Sequence, residues 1–391
     1  MLQELFIFAH KTPTLPIHNY YAAFVLPLQA RLLVAPPSSL NTTLRAVLLF
    51  IAIGVAFFGE TVDTNDNFVS GANYKLLISA CCMHSVHLAF TARSQINPPK
   101  ADRSSKHYHR DLGWSGALEV LTSFRGISMN WGVPSEKLPP VYENFLSDTL
   151  LDIVRQHFIS RTAKVTLARF VQDSSAGISG EFVRHITISI TMIILSWSDV
   201  TMVYGVVRLF VYTFTKLCGQ HFDKSKWPPL YSDIFAADSV RTFWNNKWHC
   251  LFKRHMTLCG YKPAFNLINA LLVPGDIPHY SGIIGAFAFS GLFHEYCFRC
   301  TSRTMFMEQF PSLTFFLINA LAIIFENEVK KYTGRTVGGI YGRLWAYAII
   351  IFSSIPMNSQ ILLGIGPMPG FKGWDTWKWY VPLSLAMKAE D

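Results

Sequence analysis

The chain alternates long runs of apolar residues with stretches rich in charge. A helix needs about 20 apolar residues to cross the ~30 Å hydrocarbon core of a bilayer. Five runs approach or exceed that length: Leu76 to Ala92, His185 to Val207 (interrupted by Asp199), Ile277 to His294, Gln309 to Phe325, and Leu344 to Phe371. Weaker candidates are Ala46 to Gly59, the proline-containing Thr12 to Ala30, and Pro263 to Gly275, which is too short to span alone. The pattern predicts an all-α, polytopic integral membrane protein with about seven transmembrane helices, between six and nine.

Two polar stretches, residues 93–184 and 208–276, separate these runs and carry more Lys and Arg than acidic residues. The positive-inside rule would place both in the cytosol, which is impossible if His185 to Val207 crosses once. Either the first stretch contains a further span or re-entrant helix near Val141 to Val171, or loops this long follow the rule poorly. The second stretch has nine basic residues against four acids, so we place it in the cytosol. We expect one domain over residues 1–391.

Composition supports the membrane interpretation. Of 391 residues, 50% are hydrophobic and only 15% are charged, which is not a soluble composition. The net charge of +9 would suit anionic lipid, nucleic acid or a phosphorylated cofactor. Nucleic acid is disfavoured because the basic residues form no long block. The seven cysteines do not form a disulfide framework, and the Cys297-to-Cys300 pair lacks the second pair of a zinc finger.

A first candidate site lies in the apolar segment Ser281 to Glu295. Ionisable groups inside a membrane segment are costly and usually face a cavity or a partner. Ser290 and Gly291 precede His294 by four and three residues, so on a helix they lie one turn beneath it and leave space beside the imidazole. A general base needs such room for a substrate hydroxyl. The alternative is that His294 lies at the helix end or pairs with Glu295 while the small residues pack against another helix.

A second candidate site lies in the stretch Asp238 to Arg254, which the pattern predicts to be one helix. Ser239 is a plausible N-cap, the Trp227-Pro-Pro-Leu segment interrupts the chain before it, and Gly260 and Pro263 are expected to end it.

Two pairs of side chains repeat at helical spacing within this stretch. Trp244 and Trp248 share one face, and Asn245 and His249 share a neighbouring face. This arrangement is typical of a helix at the membrane interface, with tryptophans among the headgroups and polar groups turned towards a chamber. An interfacial anchor without chemistry is the alternative.

The remaining histidines form two short-range pairs. His84 and His87 stand three apart, and His107 and His109 flank Tyr108. Without carboxylate or cysteine partners at recognisable spacing, a metal site is disfavoured for both pairs. The sequence has no Gly-x-Ser-x-Gly elbow, no Walker loop and no dinucleotide fingerprint, which argues against those enzyme classes.

Together the two stretches resemble the wax synthase-like branch of the membrane-bound O-acyltransferase superfamily. Ser290-Gly-Leu-Phe-His-Glu295 is similar to the branch's Ser-Gly-x-x-His-Glu in full. Phe243-Trp-Asn-Asn-Lys-Trp-His249 is similar to its Phe-Trp-Gly-Arg-Arg-Trp-His but departs at Asn245, Asn246 and Lys247. The upstream segment from residue 121 to residue 131 looks like fungal members that acetylate terpenoid or other secondary-metabolite alcohols.

The resemblance implies transfer of an acetyl group from acetyl-CoA, a co-substrate, to a hydroxyl of a terpenoid-type metabolite in an intramembrane reaction chamber. It implies His294 as general base and His249 as the second polar residue. The other chamber candidates are Ser290, Gly291, Glu295, Asn245, Asn246, Trp244 and Trp248. The candidates for the CoA phosphates are Lys247, Lys253 and Arg254. We expect no metal and no permanently bound cofactor.

Two other functions stay open at this point. Fatty acyl-CoA and a long-chain alcohol would give a wax ester with the same fold. A proton-coupled transporter with His294 and Glu295 in its path belongs to a different class. The expected partners are acyl-CoA, a hydrophobic alcohol and membrane lipid, without nucleic acid, and the expected location is the endoplasmic reticulum membrane.

Overall fold

The computed structural model describes residues 21–58, 68–96, 111–127, 129–130, 132, 138–172, 178–219, 221–248, 250–299 and 310–365. These residues form helices and turns, with no β-strand among them. The all-α prediction is therefore confirmed for this part of the chain. His107, His109, His249 and Cys300 lie outside the described residues.

The described ranges contain twelve α-helical segments. They are α1 (Tyr21–Val34), α2 (Ser39–Phe58), α3 (Phe68–Phe90), α4 (Gly113–Thr122), α5 (Phe145–Gln172), α6 (Ile178–Leu217), α7 (Val240–Thr242), α8 (Lys253–Met256), α9 (Lys262–Ala270), α10 (Ile277–Arg299), α11 (Pro311–Thr333) and α12 (Gly339–Ile365). Short 3₁₀ turns cover Arg93–Gln95, Lys224–Lys226 and Ile234–Ala236. Two π-helical turns, Phe243–Lys247 and Thr257–Tyr261, follow α7 and α8 directly.

The chain divides into two compact units that interleave along the sequence. Unit 1 consists of residues 1–135 and 250–320, and unit 2 consists of residues 136–249 and 321–391. The long helix α11 gives its first ten residues to unit 1 and the rest to unit 2. The expected single domain over residues 1–391 stays a prediction, and each unit is described by itself.

Three helical segments among the described residues are long and apolar enough to cross a membrane: Phe182–Leu217, Pro311–Thr333 and Gly339–Asn358. Shorter apolar helices cover Phe24–Val34, Ser39–Gly54 and Ile78–Phe90. The membrane interpretation is supported, but the predicted number of about seven spans is not confirmed. The helix α10 forms where a span was predicted, yet it is not among the three, because His279, Tyr280, His294 and Glu295 make it more polar.

The helix α5 occupies the region near Val141 to Val171, for which the sequence left a further span open. Its buried face is polar in the middle of the helix, where Thr149, Asp152, Gln156 and Ser160 are all less than 8% exposed. This face lies along α6, where the Ser160 hydroxyl donates a 2.6 Å hydrogen bond to Asp199. The opposite face is exposed; it is mainly apolar from Leu146 to Phe158, with Leu150 and Val154 between them, and it carries the exposed Arg161 beyond Phe158.

The helix predicted over Asp238 to Arg254 forms only in its first part. Ser239 caps it as predicted, because its Oγ accepts a 3.0 Å hydrogen bond from the Thr242 N–H. The helical conformation ends at Lys247, and Trp248 has an extended backbone with ψ 156°. The prediction of one helix was therefore wrong beyond Lys247.

A second helix runs from Lys253 to Ala270 through the predicted stop residues Gly260 and Pro263. A proline inside a helix removes one backbone donor and crowds the preceding turn. The π-helical turn Thr257–Tyr261 ends two residues before Pro263, which is the second residue of α9, and it widens the helix there. Gly260 is needed for close packing, because a Cβ there would collide with the Gly285 carbonyl of α10.

Candidate active site

His294 lies near the end of α10, in unit 1, and its side chain is half-buried. Its Nδ1 is 2.8 Å from the carbonyl oxygen of Ser290. A carbonyl oxygen only accepts, so Nδ1 carries the proton and donates it. In the neutral ring Nε2 is then the unprotonated nitrogen, which is the atom that a general base uses.

Aromatic rings surround the imidazole of His294. The ring centroids of Phe293, Phe298 and Phe316 lie 5.2, 6.2 and 4.9 Å from its own. Phe316 comes from the part of α11 that belongs to unit 1. These apolar neighbours limit competition by water, so a hydroxyl that reaches Nε2 interacts in a medium of low dielectric constant.

Glu295 is fully buried and contacts the backbone at the start of α11. Its Oε2 accepts hydrogen bonds from the N–H groups of Ser312, at 3.0 Å, and Leu313, at 3.4 Å. The first N–H groups of a helix lack partners within the helix, and a carboxylate there is favoured by the helix dipole. Glu295 thus ties α10 to α11 and helps to fix the position of His294. Its place in a reaction chamber stays a prediction.

Gly291 and Ser290, the small residues before His294, make different contacts. Gly291 is buried against α11, and a Cβ there would lie 2.7 Å from the Leu313 Cα. The structure therefore gives Gly291 a packing role. Ser290 is half-buried and contributes its backbone carbonyl to His294. The pocket predicted beside the imidazole stays a prediction for both residues.

The second motif lies in unit 2, and an acidic residue that sequence reasoning missed anchors it. Glu326 of α11 accepts hydrogen bonds from the N–H of Val240, at 2.7 Å, and of Arg241, at 3.0 Å. The Trp345 indole N–H donates to the same carboxylate at 3.0 Å. In the sequence Glu326 is only a polar residue next to an apolar run, and its backbone partners are 85 and 86 residues away. No local signal identifies it.

Both tryptophans of the second motif are half-buried and pack around Phe243. The Phe243 ring centroid lies 5.4 Å from that of Trp248, in a stacked arrangement, and 5.2 Å from that of Trp244, edge-on. This group adjoins the buried residues Ala237 and Ile350 of unit 2. The tryptophans thus contribute to the interior of unit 2, and their predicted place among headgroups is not tested.

The polar residues of the second motif are more exposed. Asn245 is half-buried, and Asn246 is exposed and accepts a hydrogen bond from the Ser232 hydroxyl at its backbone oxygen. His249 lies outside the described residues. Because His294 belongs to unit 1 and this motif to unit 2, a chamber that contains both motifs stays a prediction.

The three basic candidates for CoA phosphates also divide between the units. Lys247 is half-buried in unit 2, whereas Lys253 and Arg254 belong to unit 1. Lys253 is exposed. Arg254 donates a 3.3 Å hydrogen bond to Gln95, and burial lowers the pKa of its guanidinium. Of the two in unit 1, Lys253 is the more accessible to an anion.

Sequence reasoning also missed that a third histidine joins His84 and His87. His255 of α8 meets the two residues of α3, and all three are at most 1% exposed. The His84 and His255 centroids lie 5.4 Å apart, and His87 lies 5.6 Å from each. Nδ1 of His84 is 3.2 Å from Nε2 of His255. Burial lowers the pKa of His255 well below its ordinary value, so its ring is neutral.

Within the described ranges no group of three or more His, Cys, Asp or Glu side chains is arranged to hold a metal ion.

Comparison with known proteins adds independent information. Residues 227–318 match the membrane bound O-acyl transferase family. Acetyltransferase eriL of Hericium erinaceus is 27% identical over 157 residues, which are 38% of this chain and 40% of that protein. O-Mevalon transferase yanI of Aspergillus niger is 29% identical over 164 residues, 37% of this chain and 35% of that protein. An acetyltransferase of Arthrobotrys oligospora is 24% identical over 248 residues, 56% of this chain and 51% of that protein.

The chain therefore spans about a third to a half of the length of these curated relatives. The matched segment 227–318 contains both motifs, from Phe243 and from Ser290 onwards. The resemblance predicted from those motifs is confirmed. Residues 227–318 are therefore similar to the membrane bound O-acyl transferase family, and the relatives that the chain matches include fungal acetyltransferases and an O-mevalon transferase.

Proposed function

We propose that this chain is an O-acyltransferase that transfers an acetyl group from acetyl-CoA to a hydroxyl of a terpenoid-type alcohol, with His294 as general base. The observation that carries the proposal is the hydrogen bond from Nδ1 of His294 to the Ser290 carbonyl, which leaves Nε2 as a proton acceptor. The family match and the acetyltransferase names of the relatives support the reaction class.

In the proposed reaction, Nε2 of His294 takes the proton of the acceptor hydroxyl while the hydroxyl oxygen bonds to the thioester carbonyl carbon. The carbon–sulfur bond then breaks, and the CoA thiolate takes the proton back from Nε2. The ring returns to its neutral form. A thioester is already activated, so positioning and one base suffice without a covalent enzyme intermediate.

The other predicted residues have supporting roles in this proposal. His249 is the second polar residue, and Lys247, Lys253 and Arg254 are the candidates for the CoA phosphates. Lys253 is favoured in unit 1 because it is exposed while Arg254 is bonded to Gln95. The proposed location is the endoplasmic reticulum membrane.

The test replaces His294 by alanine and measures transfer of labelled acetyl from acetyl-CoA by the purified protein. We expect turnover to fall by about 10²–10⁴-fold, the usual cost of losing a general base. His157→Ala is the control, because His157 is an exposed histidine of unit 2. Near wild-type turnover by folded His294→Ala would show that His294 is not the base.

A further inference from the structure

The helix α9 and the turn after it expose several large apolar side chains. None of the nine residues of α9 is buried, although the helix packs against α10. Leu267 and Leu271 are 64% and 65% exposed, and Leu272, in the turn, is 88% exposed. Ile277, at the start of α10, is 53% exposed. Neighbouring exposed apolar side chains commonly mark a surface that contacts a protein or a membrane.

Contacts with α10 fix the position of α9. The hydroxyl of Tyr261, directly before α9, lies 2.6 Å from Nδ1 of His279. The Ser281 hydroxyl donates a 3.2 Å hydrogen bond to the Ala264 carbonyl. A Cβ on Gly282 would lie 2.6 Å from the Tyr261 ring, so the two helices approach closely there. One side of α9 is therefore occupied by α10, and the remaining sides face away from it.

The residues of α9, with Leu271 directly after it, fall into three groups around the helix, because successive residues are about 100° apart. The group that faces α10 is half-buried, and the other two groups are exposed. One exposed group is polar and the other is apolar, and their centres lie roughly 120° apart. The packed group is Ala264, Phe265 and Ile268, the polar group is Lys262, Asn266 and Asn269, and the apolar group is Pro263, Leu267, Ala270 and Leu271.

A helix divided in this way suits the surface of a bilayer. Such a helix lies in the plane of the interface, with its polar side towards water and headgroups and its apolar side about 5–10 Å into the boundary with the acyl chains. No charged residue occurs between Lys262 and Asp276, so the apolar group carries no ion towards the hydrocarbon. Lys262 gives the polar group a positive charge, which anionic headgroups attract.

Leu272 is an independent indication of a partner outside the chain. It has φ 54° and is the one non-glycine residue with positive φ within the described ranges. Its N–H donates to the Asn269 carbonyl in the turn that ends the helix, where glycine is usual because a Cβ is unfavourable there. Since the side chain is almost fully exposed, packing within the chain does not offset this strain. A contact outside the chain would offset it.

We propose that α9 and the turn from Leu271 to Ile277 dock on the surface of a lipid bilayer. The apolar group and Leu272 lie among the acyl chains, and the polar group lies among the headgroups. A second copy of the chain is disfavoured as the partner, because a few side chains do not provide the ~800 Å² per partner of a stable interface. A bilayer requires no such area, because the long apolar helices of the chain supply the main attachment. This surface is independent of the proposed acyl transfer.

The test places single cysteines on the two exposed groups, labels them with the fluorophore NBD and reconstitutes the protein in proteoliposomes. In a Cys218→Ser background, Leu271→Cys and Leu272→Cys probe the apolar surface, and Asn266→Cys and Asn269→Cys are the controls. All four positions are exposed, so the label need not disturb packing. Phosphatidylcholine with a doxyl group at carbon 5 of its acyl chain should quench NBD at the leucine positions at least about threefold more than at the asparagine positions.

Iodide dissolved in the water should quench the four labels in the reverse order, and the signal of the Cys218→Ser parent is subtracted throughout. Equal quenching of all four labels by the lipid would overturn the proposed orientation. Stronger quenching of the Leu272 label by a doxyl group at carbon 12 than at carbon 5 would place the turn deep in the bilayer and overturn docking at its surface. Protection of the leucine labels from iodide, without quenching by either lipid, would identify a protein partner and overturn the proposal.

Discussion

At the residue scale, His294 and Glu295 are neighbours in the chain, but their side chains have different surroundings. Successive helical residues point about 100° apart, so one faces aromatic side chains and the other faces the start of α11. The imidazole is half-buried, while the carboxylate is fully buried and bonded to backbone N–H groups. The motif thus combines the proposed general base with a carboxylate that ties its helix to α11.

Replacing Glu295 should destabilise unit 1, and the loss should depend on whether the new side chain can still accept a hydrogen bond from the Ser312 N–H. Glu295→Gln keeps one oxygen for the Ser312 N–H, and we expect a loss of about 1 kcal/mol. Glu295→Ala leaves the buried donor without a partner, and we expect a larger loss of about 2–3 kcal/mol. Denaturant unfolding in detergent measures both. Exposed Glu143→Ala is the control, and an alanine variant as stable as the glutamine one would contradict the anchoring role.

Gly291→Ala tests the close approach of α10 to α11. The new methyl group would lie 2.7 Å from the Leu313 Cα, so the helices must separate, and we expect a loss of about 1–3 kcal/mol. Gly54→Ala on α2 is the matched control, since its Cβ would meet no atom within 4 Å. There alanine should be neutral or stabilise by up to about 1 kcal/mol. Similar thermal midpoints for the two variants would argue against tight packing at Gly291.

The spacing of residues along the sequence predicted only part of the arrangement around His294. The four-residue separation of Ser290 and His294 predicted a shared helix face with space beside the imidazole, and it did not predict the hydrogen bond from Nδ1 of His294 to the Ser290 carbonyl. The partner of Gly291, Leu313, and the partners of Glu326 come from distant parts of the chain. Periodicity describes the face of a helix and contains no information about which distant segment covers that face.

At the element scale, α5 reverses the arrangement usual in water, with polar side chains buried and apolar ones exposed. In a bilayer this arrangement is favourable, because acyl chains solvate the apolar face and the neighbouring helix satisfies the polar one. The Ser160–Asp199 hydrogen bond is one such interaction. The basic residues of α5 keep its mean hydropathy low, and α5 is not among the three helices that are long and apolar enough to cross a membrane.

We therefore expect the apolar face of α5 to meet lipid acyl chains. In a Cys218→Ser background, a water-soluble maleimide should label Leu150→Cys at least about tenfold more slowly than Arg161→Cys. Both positions are exposed in the structure, so protein packing does not protect one over the other. Labelling in proteoliposomes measures the rates, and labelling in denaturant gives the intrinsic reactivity of each cysteine. Equal rates in the bilayer would place the whole face in water.

The sequence predicted the positions of the long helices better than the places where a helix widens or continues through a glycine or a proline. Long apolar runs gave α6, α10, α11 and α12, because burial of apolar side chains dominates their formation. The helix through Gly260 and Pro263 was not predicted, since glycine and proline usually end helices. The π-helical turn before Pro263 and the close contact with Gly285 make that helix possible, and neither is visible in local sequence.

At the scale of the whole molecule, the length of the acyl donor separates the two enzymatic interpretations. Each methylene group that enters an apolar tunnel contributes ~0.8 kcal/mol of burial, so a wax-forming enzyme would bind palmitoyl-CoA strongly. A closed acetyl pocket would exclude the long chain. We expect acetyl-CoA to be used at least about tenfold more efficiently than palmitoyl-CoA, which is ~1.4 kcal/mol. Competition for one accepted alcohol measures this, and preferential use of palmitoyl-CoA would support wax ester synthesis with His294 still as base.

The interleaving of the two units has a consequence for the order of synthesis. Unit 1 consists of residues 1–135 and 250–320, so it cannot form completely until the second of these segments has been synthesised. Unit 2 likewise needs the residues after 320. Translation proceeds at about 5–20 residues per second, so the first part of unit 1 waits roughly 10–40 s for its remaining helices. During that time His84 has no His255, and α3 has no α10 beside it. A premature stop codon before residue 250 therefore leaves both units incomplete, and not only the one that is still to be translated.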